Sequence, residues 1–138
     1  KLIKKISGDI LYIDPPYNPR QYVTNYHMLE TVSRYDNPDV YGKTGLRPYK
    51  DVKSKYCLKN EVLSTFSDLI SNANFKHIIV SYSTEGIMSI EDIKSILIEN
   101  GIKAKYKLKR ISYRRYKHRA GHVNHNLHEL LFYIAKGK

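Results

Sequence analysis

Hydrophobic and polar positions along the chain alternate between short continuous apolar runs and longer amphipathic segments. The runs at Ile10–Ile13 and 77–83 have the length and composition typical of strands buried on both faces of a parallel sheet. Between them, residues 59–72 repeat apolar side chains at helical spacing, at Val62, Phe66, Leu69 and Ile70. This order of strand, helix and strand is typical of an α/β fold.

A shorter helix and a long loop are predicted between the first strand and residues 59–72. Asn25 is placed to cap a helix that stops at Asn37-Pro38, because the residue before a proline disfavours helical backbone. Its apolar face then consists of Tyr26, Leu29 and Val32. Residues 36–55 are polar and contain two prolines and two glycines, so we predict a long loop, and such loops in compact domains are usually functional or mobile.

One more helix is predicted after the second strand. Ser89, followed three residues later by Asp92, resembles a capping box, and Gly101 suits the position after the helix end. The buried stripe of this helix consists of Ile90, Ile93 and Leu97.

Two further strands complete the pattern. Residues 103–113 alternate, with Ala104, Tyr106 and Leu108 on one face and lysines on the other, and residues 128–136 are apolar almost throughout. The connection between them is too short for a crossover helix, so this pair should be antiparallel. We therefore predict an α/β fold, with parallel strands and helices and an antiparallel hairpin at one edge of the sheet.

The charge of the chain is concentrated in one segment. The 138 residues carry a net charge of +11, and nine of the 24 Lys and Arg lie between Lys103 and Arg119, where there is no acid. Such a segment favours nucleic acid as a partner, although a solvated strand with outward lysines has the same composition. The candidates for DNA phosphate contacts are Lys109, Arg110, Arg114, Arg115, Lys117 and Arg119.

Composition also argues against other classes of protein. The single Cys57 excludes an internal disulfide framework. There is no apolar run long enough to cross a bilayer and no signal peptide, so we expect a cytoplasmic protein without a membrane partner. Four histidines follow no usual zinc-ligand spacing, and no metal site is predicted at His118, His122, His125 and His128.

The first strand ends in a group of residues suited to holding a planar ring with an exocyclic amino group. Asp14 offers a carboxylate, and Pro15 and Pro16 stiffen the turn and leave carbonyl oxygens as further acceptors. Tyr17 supplies a flat face for stacking. Two acceptors that bind the NH₂ hydrogens turn the nitrogen lone pair outward, so the amino group of a base is the expected substrate.

Polar residues also end the second strand. Because ligands of open α/β sheets bind beyond the carboxyl ends of the strands, this end should lie beside Asp14–Tyr17. The pocket candidates there are Ser81, Tyr82, Ser83 and Glu85.

The motif Asp14-Pro15-Pro16-Tyr17 resembles the D/N/S-P-P-Y/F motif of amino-methyltransferases that use S-adenosylmethionine, and Asp in first place is typical of DNA adenine-N6 methyltransferases. Residues 14–38 are similar to the D12-class adenine methylases, in particular those of type IIS restriction–modification systems of the FokI kind. The segments "IIVSYSTEG" and "KRISYRRYKHR…HELLFYIAK" resemble later parts of the same enzymes, in the same order.

The resemblance implies a Rossmann-like methyltransferase fold and assigns roles by position. Asp14 and the Pro15 carbonyl would bind the adenine N6 hydrogens, with Pro16 shaping the turn. Tyr17 would stack on an adenine flipped out of double-stranded DNA. The loop that closes over the base would contain Asn18, Arg20, Gln21 and Tyr22. S-adenosylmethionine would supply the methyl group.

The sequence departs from the family at its cofactor site. The family binds S-adenosylmethionine mainly through an amino-terminal strand and an F-x-G-x-G turn, and the seven glycines of this chain are dispersed. Residues 1–138 are therefore expected to be the carboxyl-terminal catalytic part, without the cofactor motif and the target-recognition region, and inactive alone.

Several alternatives and partners stay open at the level of sequence. The same site would suit RNA adenine or cytosine N4, and a catalytically dead fragment that binds nucleic acid through residues 103–119 is a further hypothesis. An amino-terminal half and a cognate restriction enzyme are candidate partners, as is a second copy paired through an exposed sheet edge.

Overall fold

The computed structural model of the protein describes residues 2–112 and 127–137, and a four-stranded sheet lies at its centre. The strands are β1 (Ser7–Ile13), β2 (Asn74–Ser83), β3 (Lys107–Ser112) and β4 (His128–Ala135), in the spatial order β1-β2-β4-β3. Strands β1 and β2 are parallel, whereas β4 is antiparallel to both of its neighbours. The predicted α/β fold with an antiparallel edge hairpin is confirmed.

The described residues also form four α-helices and four short 3₁₀ turns. The helices are α1 (Tyr22–Asn25), α2 (His27–Arg34), α3 (Val62–Asn72) and α4 (Ile90–Glu99). The 3₁₀ turns are Leu2–Lys5, Lys50–Val52, Lys55–Cys57 and Lys103–Lys105. Within the described ranges, no helix has the length and apolar composition to span a membrane.

The core lies between one face of the sheet and helices α3 and α4. Alternate side chains of β2 and β4 are fully buried there, as the two-residue repeat of a strand requires: Ile78, Val80, Tyr82, Leu130, Phe132 and Ile134. The apolar stripes of the helices fill the other side, with Val62, Phe66 and Ile70 from α3 and with Ile93 and Leu97 from α4. These positions match the helical spacing predicted from the sequence.

The prediction that the first strand is buried on both faces is wrong. Only Ile13 of β1 is buried, and Ile10 and Tyr12 are 61% and 59% exposed. The reason is that β1 pairs on one side only, with β2, and that Ile10 and Tyr12 point away from the face that α3 and α4 cover.

The predicted helix after residue 25 is present but differs in its limits and burial. Asn25 does not cap this helix, because it belongs to the separate short helix α1. Helix α2 begins after Tyr26, whose side chain forms no capping hydrogen bond. It ends at Arg34, where Tyr35 takes left-handed backbone, earlier than the expected stop at Asn37-Pro38. Its apolar side chains face solvent, since no described element packs over Leu29 and Val32, which are 66% and 71% exposed.

Strand β3 is shorter than the predicted 103–113. Residues 103–105 form a 3₁₀ turn in which Ala104 is exposed. Just before this turn, the Ile102 N–H donates to the Ala135 carbonyl of β4 at 2.8 Å. Within β3, Leu108 packs against the core as predicted, whereas the other residues from Lys107 to Ser112 are exposed.

Helix α4 confirms the predicted capping box. The Ser89 side chain accepts from the Asp92 N–H, and the Asp92 carboxylate accepts from the Ser89 N–H at 3.1 Å. Gly101 follows the helix as predicted, but its backbone is not left-handed. A Cβ at this position would overlap Cγ1 of Ile134 and lie 2.9 Å from the Ala135 carbonyl oxygen, so glycine is required here by the close approach of β4.

The end of α3 is held from the far end of the chain. The Lys136 ammonium donates to the carbonyls of Ile70, Ser71 and Ala73 at 2.7, 3.3 and 2.9 Å. A cation bonded to the last carbonyls of a helix satisfies acceptors that have no partner within the helix.

Replacing Gly101 with alanine should destabilise the fold by about 1–3 kcal/mol, because the added methyl group forces β4 and the end of α4 apart. The measurement is urea-induced unfolding, with Gly137→Ala as the matched control. A Cβ at Gly137 meets only ordinary contacts at 3.4 Å from Ile102, so this control should unfold at the wild-type urea concentration. Equal midpoints for the two variants would contradict the prediction.

Candidate active site

The residues Asp14–Tyr17 follow β1 directly, at the edge of the sheet where β2 also ends. The Ile87 N–H donates to the Tyr17 carbonyl at 2.9 Å, so the segment after β1 is bonded to the turn after β2. The structure thus brings together the two strand ends that the sequence singled out.

Several hydrogen-bond acceptors at this edge have no protein partner among the described residues. The Asp14 side chain is exposed and, in the part of the chain that the structure describes, forms no hydrogen bond and no ion pair. No amide of residues 2–112 or 127–137 donates to the carbonyl of Pro15, whose ring is buried, or to that of Pro16. Tyr17 is 37% exposed, so part of its ring is accessible from solvent.

The turn after β2 is built around Tyr82. This side chain is 2% exposed, and its hydroxyl accepts a hydrogen bond from the Met88 N–H at 3.2 Å. Burial raises the pKa of the Tyr82 hydroxyl. A Cβ at Gly86 would overlap the Tyr82 ring, so only glycine allows the backbone to cross it so closely. Tyr82 supports the turn from inside the protein.

The other pocket candidates lie around the same turn. Ser83 is nearly buried, and its hydroxyl accepts from the Glu85 N–H at 3.3 Å while its carbonyl accepts from the Gly86 N–H at 2.9 Å. Glu85 is exposed, and Ser81 lies half-buried on the sheet opposite Leu131. Their roles toward a ligand stay a prediction.

The loop after Tyr17 is tied to residues 54–57, a connection that the sequence did not reveal. The Gln21 side chain donates to the Ser54 carbonyl at 3.2 Å and accepts from the Ser54 N–H at 2.7 Å. The Cys57 thiol, whose pKa is raised by burial, donates to the Arg20 carbonyl at 3.3 Å. Gln21 is only 8% exposed, so its amide anchors the loop.

The remaining loop candidates are more accessible. The Asn18 side chain accepts from the Arg20 N–H at 3.0 Å and so fixes a tight turn. Tyr22 is 55% exposed and stacks on Tyr26, with ring centroids 5.8 Å apart. The part of these residues in closing over a base stays a prediction.

Arg47 holds the long loop against α2. Its guanidinium is bonded to Asp36 and to the Thr31 hydroxyl, and Arg47 is only 8% exposed. The hydrogen bond from Arg47 lowers the pKa of Asp36, so the pair is present above that pKa and weakens as pH falls through it. A cleft of about 330 Å³ lies between α1, α2 and residues 47–52.

The sequence that forms this edge of the sheet matches a known protein family. The family model of the D12 class N6 adenine-specific DNA methyltransferases matches residues 1–96, which include the unsatisfied acceptors and the anchored loop. The chain belongs to this family.

Its relatives are methyltransferases that are much longer. The chain is 55% identical over 135 residues to the type II methyltransferase M.FokI of Planomicrobium okeanokoites, and 45% identical over 136 residues to the modification methylase StsI of Streptococcus sanguinis. These matches include 98% and 99% of this chain but only 21% of each relative, so the chain spans about a fifth of their length. No solved structure matches.

A further relative covers a larger share. The type II methyltransferase M.NlaIII of Neisseria lactamica is 50% identical over 117 residues, which make up 34% of that protein.

The family implies S-adenosylmethionine, but within residues 2–112 and 127–137 no glycine-rich turn joins a strand to a helix. The glycines with left-handed backbone, Gly42 and Gly45, lie in the long loop and not between a strand and a helix. The main cofactor motif is thus not found in this sequence.

The predicted DNA-binding residues of this D12-class chain are only partly described. Lys109 and Arg110 are exposed on β3 and, as neighbours in a strand, point to opposite faces of the sheet. The predicted contacts at Arg114, Arg115, Lys117 and Arg119 lie outside the described residues, as do three of the four histidines. The described residues contain no cluster of three metal-ligating side chains.

Replacing Gln21 with leucine should loosen the anchored loop, because the Ser54 N–H and carbonyl both lose their partner. We expect a loss of about 1–3 kcal/mol and faster hydrogen exchange at the Ser54 amide. Gln21→Glu keeps the acceptor for the Ser54 N–H and should give an intermediate rate. The prediction fails if the Ser54 amide exchanges equally in all three proteins.

Tyr82→Phe and Tyr106→Phe form a matched pair. The first leaves the Met88 N–H without its partner and should cost about 1–3 kcal/mol. The second removes a buried hydroxyl that has no partner in the described structure, so its effect should be neutral or stabilising. Thermal unfolding of both variants tests the difference, and an equal loss in both would refute it.

Proposed function

We propose that this chain is the carboxyl-terminal catalytic part of a DNA adenine-N6 methyltransferase of a restriction–modification system, which methylates adenine in a specific DNA sequence. One observation carries the proposal. The Asp14 carboxylate and the Pro15 carbonyl have no protein partner among the described residues, and they lie beside Tyr17 at the carboxyl ends of the parallel strands. The chain also belongs to the D12 class. The relatives are type II methyltransferases and a modification methylase, which supports the same reaction.

The proposed chemistry rests on the exocyclic amino group of adenine. The Asp14 carboxylate and the Pro15 carbonyl accept the two N6 hydrogens, which withdraws the nitrogen lone pair from conjugation with the ring and directs it outward. This preorganised pair of acceptors positions the nucleophile before reaction, and positioning supplies much of the rate in such transfers. S-adenosylmethionine supplies the methyl group in this reaction class.

Tyr17 is proposed to hold the ring of the target base. An amino group inside a duplex is inaccessible, so the adenine must leave the base stack. The exposed part of the Tyr17 ring offers a stacking face, and the bond from Ile87 to its carbonyl limits its movement.

The donor cradle is proposed to lie in sequence beyond these 138 residues. The chain has the acceptors for adenine and lacks the glycine-rich motif, and it spans about a fifth of two relatives. The isolated chain should therefore be inactive. DNA contacts are assigned to Lys109, Arg110 and the basic residues that follow them.

A second candidate is a fragment that binds nucleic acid without turnover, since it needs no cofactor cradle. The observation that favours it is the segment Lys103–Arg119, which has nine Lys and Arg and no acid. The next experiment separates the two.

A chimera tests the proposed function. This chain replaces the 135 matched residues of the Planomicrobium relative, and unmethylated bacterial genomic DNA is incubated with the chimera and S-adenosylmethionine. Mass spectrometry of the digested nucleosides should detect N6-methyladenine with the wild-type chain and none, a loss of at least about 100-fold, with Asp14→Ala.

Asp39→Ala is the matched control, because this exposed aspartate lies in the long loop, and it should keep wild-type activity. A chimera that binds DNA but forms no methylated base would favour the binding fragment. N4-methylcytosine, or activity on RNA alone, would replace the adenine assignment.

Substitution of Tyr17 should separate stacking from hydrogen bonding. Tyr17→Phe keeps the aromatic face and should retain activity within about threefold, whereas Tyr17→Ala should raise KM or lower kcat by at least about tenfold. The measurement is steady-state methylation by the chimera. Equal activity of the alanine and phenylalanine variants would rule out stacking.

A further inference from the structure

We propose that residues 41–53, the Tyr41–Lys53 platform, bind the phosphate backbone of nucleic acid beside the adenine site. The inference deepens the proposed function and rests on it. The surface is separate from the basic residues 103–119 that the sequence singled out.

The platform begins with a tight hairpin that exposes a lysine. Tyr41 and Leu46 are joined by two backbone hydrogen bonds of 2.9 Å. The turn between them contains Gly42 and Gly45, whose φ angles of 71° and 62° favour glycine. Lys43 stands exposed in this turn.

Aromatic rings and a cation meet at the base of the hairpin. The rings of Tyr41 and Tyr49 are stacked, with centroids 6.3 Å apart and planes inclined by 12°. The Lys53 ammonium lies 5.5 Å from the Tyr49 centroid, within the range of a cation–π contact. Tyr41 is 46% exposed, so an aromatic face remains open to solvent.

The positive charge of the platform is largely unpaired. Within residues 2–112 and 127–137, Lys43, Lys50 and Lys53 form no ion pair, whereas nearby Lys55 is paired with Glu61. Asp51 is the one acid between residues 41 and 53. Three available ammonium groups against one carboxylate make this an anion-binding surface.

The platform is fixed relative to the adenine site. Arg47 ties it to Asp36 and Thr31, and the Ser54 backbone next to it is clamped by Gln21, four residues after Tyr17. An anchored surface can fix the register of a duplex on the protein, which is the usual role of phosphate contacts.

The chemistry favours nucleic acid over an acidic protein. Lysines interspersed with exposed tyrosines fit a ligand that has phosphates and flat bases in regular succession. An acidic peptide offers carboxylates but no base for the tyrosine face.

The test is binding of the chain to a fluorescein-labelled duplex of about 30 base pairs with mixed sequence, followed by fluorescence anisotropy between about 50 and 200 mM KCl. The triple variant K43Q/K50Q/K53Q should reduce the slope of log K against log salt by about 2–3, since each lost phosphate contact removes about 0.9. The control variant K4Q/K59Q/K94Q removes three exposed lysines elsewhere and should keep the wild-type slope.

Tyr41→Leu supplies a second measurement that leaves the charge unchanged. It should weaken binding of a single-stranded oligonucleotide at least about fivefold and leave the salt slope of the duplex unaltered. Circular dichroism of each variant checks that the fold is retained.

The proposal is overturned if the wild-type chain does not bind the duplex, or if the triple variant keeps the wild-type slope. It is also overturned if the control loses as much as the triple variant, or if polyglutamate binds the wild-type chain as tightly as DNA does. The chimera tests methylation and the salt slope of the isolated chain tests the platform, so failure of the methylation proposal and failure of the platform are distinguishable.

Discussion

The parallel pairing of β1 with β2 determines where the candidate active site lies. Parallel strands end at the same edge of a sheet, so one pairing brings Asp14–Tyr17 beside the turn after Ser83. The hydrogen bond from Ile87 to the Tyr17 carbonyl then joins the two segments directly. The pairing is itself held by burial of Ile78 and Val80 beneath α3 and α4, which links the core to the site.

Side-chain hydrogen bonds also hold the loops around the candidate active site. The loop after Tyr17 is bonded to residues 54–57 through Gln21 and Cys57, and Arg47 fixes the intervening loop to α2. The long polar segment is therefore held to α2 through Arg47 and, at its end, to the loop after Tyr17 through Gln21. A loop anchored in this way can act as one body with the proposed adenine site.

The sequence predicted those features that depend on local patterns. The buried run of β2, the stripes of α3 and α4 and the Ser89 capping box all follow from spacing alone, and the motif Asp14–Tyr17 follows from the chemistry of its side chains. Features set by distant partners were missed. The burial of Gln21 depends on Ser54, 33 residues away, and the exposure of β1 and of Leu29 depends on which elements pack against them. Tyr82 was predicted as a pocket residue from its place at a strand end, and that role stays a prediction. Its packing against Gly86 could not be predicted without the structure.

The bonds from Lys136 to the end of α3 have a consequence for folding. The Ile70 carbonyl and the Lys136 ammonium are 66 residues apart along the chain, so the last turn of α3 gains these bonds only after β4 has joined the sheet. Completion of a local helix is thereby coupled to a long-range strand pairing, that of β4 with β2. Such coupling penalises partly folded states, since a chain with α3 formed and β4 detached leaves those carbonyls without this partner. We expect the helix end and the sheet to form and to unfold together, as one cooperative unit.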